Sequence, residues 1–250
     1  MKRSSVCTTV LVALGSFTGS VAGEMFEFTG SAQSLEGKTL YEERHQVEGI
    51  CENAVFRSIG HRVAYTRQTG SGKETFAEKT LDYSPSAIRP TVNFQQPGFN
   101  ESLEITYPAP GSTAVVWQQP GGDTKRSSTE VSNRLVVDAG FDNLVRQNWK
   151  DVVSGESVKF RFLAPTRGTD YAFILEPAQS PDVKADHLVQ IRPDNLVLKF
   201  LVDPIVLGYN KKGALTAYSG LTNVRENADQ NYTATIRYAI NTYPECKLIP

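Results

Sequence analysis

The sequence predicts a mainly β protein: a large curved antiparallel sheet, open or partly closed like a barrel, with one amphipathic helix at about 139–154 packed on its concave face. Three observations lead there. Beyond residue 24, many segments alternate apolar and polar residues with period two. The connections between them are short and rich in Gly, Pro and Asn, the chemistry of hairpin turns. Only one stretch has clear helical spacing, so parallel strands would lack the helices that their crossovers need.

The first element is a processing segment. Lys2 and Arg3 supply a positive start, residues 6–17 are mostly apolar and uncharged, and Ser20-Val21-Ala22-Gly23 offers small residues for cleavage. The pattern predicts a signal peptide over residues 1 to about 23 and a single β-rich domain over 24–250. A membrane-spanning helix needs about 20 apolar residues, and this stretch is broken by Gly, Ser and Thr. The most apolar later stretch, 196–207, contains Lys199, Asp203 and Pro204, so no transmembrane segment is expected after cleavage.

Strands are expected at 25–32, 40–49, 57–67, 74–83, 101–107, 112–118 and 124–131, then at 157–163, 171–176, 187–192, 205–209, 214–218 and 231–239. Leu103, Ile105 and Tyr107 share one face, with Glu104 and Thr106 on the other. Val158, Phe160 and Phe162 alternate with Lys159 and Arg161 in the same way. Thr69-Gly70-Ser71-Gly72, Pro108-Ala109-Pro110-Gly111, Pro120-Gly121-Gly122-Asp123 and Asn210-Lys211-Lys212-Gly213 are the turn signals. In the helix, Phe141, Leu144, Val145, Trp149, Val152 and Val153 make one apolar stripe, with Trp149 read as core. Asp138 is placed to cap its start, and Gly155 to end it. Periodicity leaves 194–202 open between a short helix and a buried strand.

Composition narrows the function. Removing Lys2 and Arg3 leaves 24 basic against 27 acidic residues, a net charge of −3. No basic excess points to nucleic acid. Two cysteines remain after cleavage, Cys51 and Cys246, and in an oxidising compartment an even pair is a disulfide candidate, favoured over two free thiols.

Five segments carry a family resemblance: Phe28-Thr29-Gly30-Ser31-Ala32, Leu40-Tyr41-Glu42-Glu43-Arg44-His45, Asp138-Ala139-Gly140-Phe141-Asp142 through Trp149, Leu201-Val202-Asp203-Pro204-Ile205, and Leu221-Thr222-Asn223-Val224-Arg225. In these the chain resembles a family of uncharacterised exported proteins of Gram-negative bacteria with no assigned activity. The resemblance implies an envelope protein and adds no mechanism.

The motifs for catalysis are thin. Gly72-Lys73-Glu74 looks like the end of a phosphate-binding loop, but Arg67 and Glu74 stand where Gly and Ser or Thr are required, so it reads as a turn. No Gly-x-Ser-x-Gly elbow is present. A hairpin centred near Asn53 would put His45 nearly opposite His61, close enough to share a metal with Glu43. The favoured reading is two solvated histidines on an exposed strand face. The pairs Glu42/Glu43 and Asp138/Asp142 read as structural, the first because neighbours on a strand diverge and the second because acids suit a helix start.

The 11 Phe, ten Tyr and two Trp left after cleavage either fill the core or line an apolar cavity in the curved sheet. The expectation is an exported periplasmic protein, more a binder than an enzyme, holding a small lipophilic ligand or a hydrophobic segment without a cofactor. The alternatives are an envelope assembly factor that binds another protein, and a hydrolase or metal enzyme using His45 and His61.

Overall fold

Among the described residues, fifteen strands and two α-helices form in the order that the alternation and spacing predict, with a few corrections. The computed structural model describes residues 23–195 and 203–250. The expected signal peptide, up to residue 22, and most of the undecided stretch 194–202 lie outside the described residues.

The strands are β1 (Glu24–Gln33), β2 (Thr39–Glu52), β3 (Val55–Thr69), β4 (Gly72–Asp82), β5 (Thr91–Gln96), β6 (Glu101–Ala109), β7 (Ser112–Gln118) and β8 (Thr124–Glu130). The second series is β9 (Leu135–Val136), β10 (Val158–Ala164), β11 (Thr169–Pro177), β12 (His187–Pro193), β13 (Ile205–Tyr209), β14 (Leu215–Arg225) and β15 (Asn231–Thr242). Each series is a meander of sequential neighbours. The pairing of β1 with β15 joins the two into one 15-stranded sheet that ends on β8 and β9. The sheet is curved and not closed. Every pair is antiparallel except β9 with β10.

Two strands escaped the sequence reading. β5 is six residues long, lies between Pro90 and Pro97, and contains Asn and Gln, so its flanks and polarity resemble a loop. Its inward positions are nevertheless buried: Val92, Phe94 and Gln96. β9 has only two residues, too few to show a period.

The expected single helix is two: α1 (Gly140–Gln147) and α2 (Trp149–Val153). The break falls at Asn148, whose φ and ψ are −105° and 23°. Its side-chain Nδ2 donates to the Leu144 carbonyl at 2.8 Å, beside its own backbone N–H at 3.1 Å. The apolar stripe survives the break, and Leu144, Val145, Trp149 and Val152 pack against Phe160, Leu175, Leu207 and Tyr209 of the second meander. Trp149 is core, as expected.

Asp138 is not the helix cap. Ala139 occupies that place, and Asp138 has a φ of +45°, with its carboxylate turned inward. Gly140 follows because the segment before β5 runs close by: a Cβ there would lie 2.2 Å from the Ile88 carbonyl oxygen.

The Cys51 and Cys246 sulfurs lie at disulfide distance, with Cα atoms 5.8 Å apart. The C-terminal segment they tie down adds backbone bonds, Phe56 N–H to the Lys247 carbonyl and Lys247 N–H to the Ala54 carbonyl. Leu248 then completes a small cluster with Phe26, Phe28, Val47, Phe56 and Ala214.

Candidate binding cavity

The sheet curls around α1 without filling the space inside. A cavity of about 390 Å³ remains. Its wall is largely apolar, with Val63, Leu81, Leu103, Phe162, Phe173 and Ile236 among the lining residues. The size lies at the small end of the range for ligand cavities. Leu221, Asn223 and Thr166 line it and are themselves exposed, which places its mouth beside the end of β14 and the turn after β10. A second hollow of about 350 Å³, lined by Glu48, Arg62, Asp82 and Glu104, is solvated surface on the outward face.

One wall of the cavity is polar, and β2 and β3 supply its centre. The inward positions of β2 are Tyr41, Glu43, His45 and Val47. On β3 a bulge at Ile59 keeps both Ser58 and His61 inward. The turn is centred between Asn53 and Ala54, both at positive φ. Turn and bulge each shift the register by one residue, so His45 faces Val63 and His61 faces Val47. The two histidines are diagonal neighbours rather than opposite.

They are also buried, at 9% and 7% exposure, which overturns the expectation of a solvated pair. His45 Nδ1 and His61 Nε2 are hydrogen-bonded at 2.9 Å. His45 Nε2 lies 2.8 Å from Glu43 Oε2, and since a carboxylate only accepts, the ring donates there. Tyr238 donates its hydroxyl to the same Glu43 oxygen at 3.0 Å, and Phe28 stacks on the His45 ring with centroids 4.3 Å apart. The result is a chain, Glu43–His45–His61, facing the cavity. The three residues suggested for a shared metal are thus together, but their nitrogens and oxygen bond one another directly. Among the described residues no group of three or more His, Cys, Asp and Glu is arranged to hold a metal ion.

Burial holds the His61 pKa well below its ordinary value, and nearby His45, Lys79 and Arg146 push in the same direction. Its ring is neutral. Burial likewise raises the hydroxyls of Tyr65 and Tyr238 well above the usual tyrosine range, with the Glu43 charge adding to the effect.

The other charges on this wall come in pairs. Lys79 of β4 reaches both Asp138 oxygens at 2.9 Å and lies over the Phe94 ring. Asn223 of β14 donates to Asp138 Oδ2 at 3.2 Å. Arg146 donates through Nε to the Gly213 carbonyl at 3.0 Å, and its Nη2 lies 2.8 Å from Asp142 Oδ2, out of line for a hydrogen bond. Arg225 of β14 grips both Glu101 oxygens, at 2.9 and 2.7 Å, while Trp117 donates to one of them at 2.8 Å. Buried charges persist because each is partnered.

Glu42 and Glu43 diverge as expected: Glu42 points outward to Lys73, and Glu43 inward. Asp138 and Asp142 do more than begin a helix, since both line the cavity. Lys79, Glu101 and Arg225 were missed by the sequence reading, and Arg146, which the helical spacing puts on the wet face opposite the apolar stripe, is instead buried. The one available signal was a charge at an inward position of an alternating strand, as with Lys79 between Ala77 and Leu81.

No protein-family model and no curated protein matches the chain. A crystal structure of a beta-barrel-like protein of a domain of unknown function (DUF1849) from Brucella abortus is similar, with 8% identity and a TM-score of 0.41, over 88% of this chain and 95% of that one. A putative outer membrane lipoprotein-sorting protein domain from Vibrio parahaemolyticus aligns at 10% identity with a TM-score of 0.20, over 91% of this chain and 87% of that one. At these scores the function is read from the chain's own residues.

Proposed function

We propose that this chain is an exported, non-enzymatic binder of a lipophilic ligand, an acyl chain or a hydrophobic segment, working in the periplasm. The observation that carries this reading is the cavity of about 390 Å³ enclosed by a mostly apolar wall inside the curled sheet. Apolar surface left open to water is costly, at roughly 25 cal/mol per Å², and an apolar occupant recovers that free energy. The paired charges on the polar wall have their partners already, so they add shape and hydrogen bonds without demanding a counter-ion. No helix among the described residues is long and apolar enough to cross a membrane.

Native mass spectrometry of the protein released from its own periplasm tests this directly, with a copurifying small amphiphile as the expected result. Protein that is consistently empty, and that fails to take up an apolar dye, would sink the proposal. Leu103→Trp, on the cavity wall, should weaken dye binding at least about tenfold by filling the space, with the melting temperature nearly unchanged.

A further inference from the structure

We propose that the bulged end of β14, Gly220 to Arg225, is the gate of the cavity, latched by the Arg225–Glu101 ion pair on one side and the Asn223–Asp138 hydrogen bond on the other. The proposal rests on reading the cavity as a ligand site and adds how its occupant passes in and out.

The ladder itself is interrupted here. From Leu221 to Arg225, β14 takes four steps where β15 takes two, between Thr233 and Asn231. Thr222, Asn223 and Val224 therefore leave the strand pairing. Side chains hold their backbone instead: Val224 N–H donates to Thr222 Oγ1 at 3.3 Å, and Asn231 Nδ2 to the Thr222 carbonyl at 2.9 Å. The Tyr218 hydroxyl donates to the Leu221 carbonyl.

A pivot precedes the bulge. Gly220 has a φ of +152°, a conformation that residues with a Cβ rarely adopt, and a Cβ there would lie 3.1 Å from Ile205 Cγ1. Beyond the pivot, Leu221 to Arg225 all line the cavity, while Leu221 is 58% exposed and Asn223 is also exposed. The segment thus spans from the interior to solvent.

The latch joins strands that share no backbone bond. Glu101 begins β6, which lies seven places from β14 in the sheet, and only the curl of the sheet brings the two together. Arg225 binds Glu101 with two nitrogens, and its own N–H donates to Gln96 Oε1 at 3.2 Å. Asn223 does the same on the other side, reaching Asp138 ahead of α1. Opening this mouth needs side-chain bonds to break and leaves the strand ladder in place.

Stopped-flow binding of the neutral dye N-phenyl-naphthylamine to the full chain, to Glu101→Gln and to Asn223→Ala tests the gate. Glu101→Gln keeps the side-chain size but removes the charge that holds Arg225. Asn223 is exposed, and without it Asp138 still has Lys79 and the Ala139 N–H. Association and dissociation should both quicken, about tenfold in Glu101→Gln and about two- to threefold in Asn223→Ala. A gate lowers one barrier shared by both directions. Unchanged rates in folded variants would overturn it, as would a change in one rate alone, which would assign the pair to holding the ligand. If Glu101→Gln does not fold, Asn223→Ala decides. An unmodified protein that binds no dye removes the cavity reading and the gate together, whereas normal binding with unchanged rates removes only the gate.

Discussion

His61 is a neutral ring among cations. Its depressed pKa has a direct consequence for stability. In the unfolded chain a histidine takes up its proton near pH 6.5, while the folded protein resists protonation until a lower pH. Between those limits the unfolded state binds more protons, so stability rises with pH there and falls on acidification. Denaturant melts from pH 7 to pH 5 should show a loss that steepens below about pH 6, by at most about 1.4 kcal/mol per pH unit from this group. His61→Gln, which can still bond to His45, should flatten that slope; an unchanged slope would assign acid sensitivity elsewhere. The sequence showed that His45 and His61 belong to one hairpin. It did not show that they bond each other, because a bulge at Ile59 and a turn centre displaced by half a residue set the register.

At the scale of elements, the helix and the strands have different legibility. The apolar stripe from Phe141 to Val152 was visible and packs as expected, whereas Val153, at its end, is exposed. The break at Asn148 was not visible, because it is a departure of one residue's φ and ψ that leaves the apolar spacing unchanged. Long strands with strict alternation, such as β2 and β15, appear close to their expected limits, whereas the short β5 between two prolines does not announce itself. Gly140 is where an element meets its neighbour most tightly. Gly140→Ala would bring a Cβ to 2.2 Å from the Ile88 carbonyl oxygen, a backbone atom that cannot swing aside. The substitution should cost at least about 2 kcal/mol by thermal or chemical melting despite the higher helix propensity of Ala. A stability equal to that of the unmodified chain would mean that the segment before β5 is free to shift.

The whole molecule is tied at its ends. β1 pairs with β15, and the Cys51–Cys246 pair sets the C-terminal segment against the β2–β3 hairpin across a sequence separation of 195 residues. We expect protein from an oxidising compartment to carry no free thiol at these positions, as mass spectrometry after alkylation would show. The chain-entropy model assigns a closure this long an upper figure of about 5 kcal/mol. Cys51→Ser with Cys246→Ser should therefore lower unfolding stability by about 2–5 kcal/mol. Equal stability of the two forms would show that the backbone bonds of Phe56 and Lys247 suffice alone.

Alternation, turn residues and one helical stripe, all local features, determined that this chain is a curved antiparallel sheet with helical packing on one face. Local rules carry that far because side-chain direction in a strand or helix depends on neighbours a few residues away. The sequence also determined the inventory of the polar wall without saying that it was a wall. Only the tertiary structure brought Glu43, His45 and His61 into one chain, Lys79 to Asp138 and Arg225 to Glu101. Those meetings depend on registers, on two bulges and on how tightly fifteen strands curl, quantities summed over the whole sheet. The same curl decides whether the aromatic and aliphatic residues fill the interior or leave a cavity, and here the sheet is wider than its helices can fill.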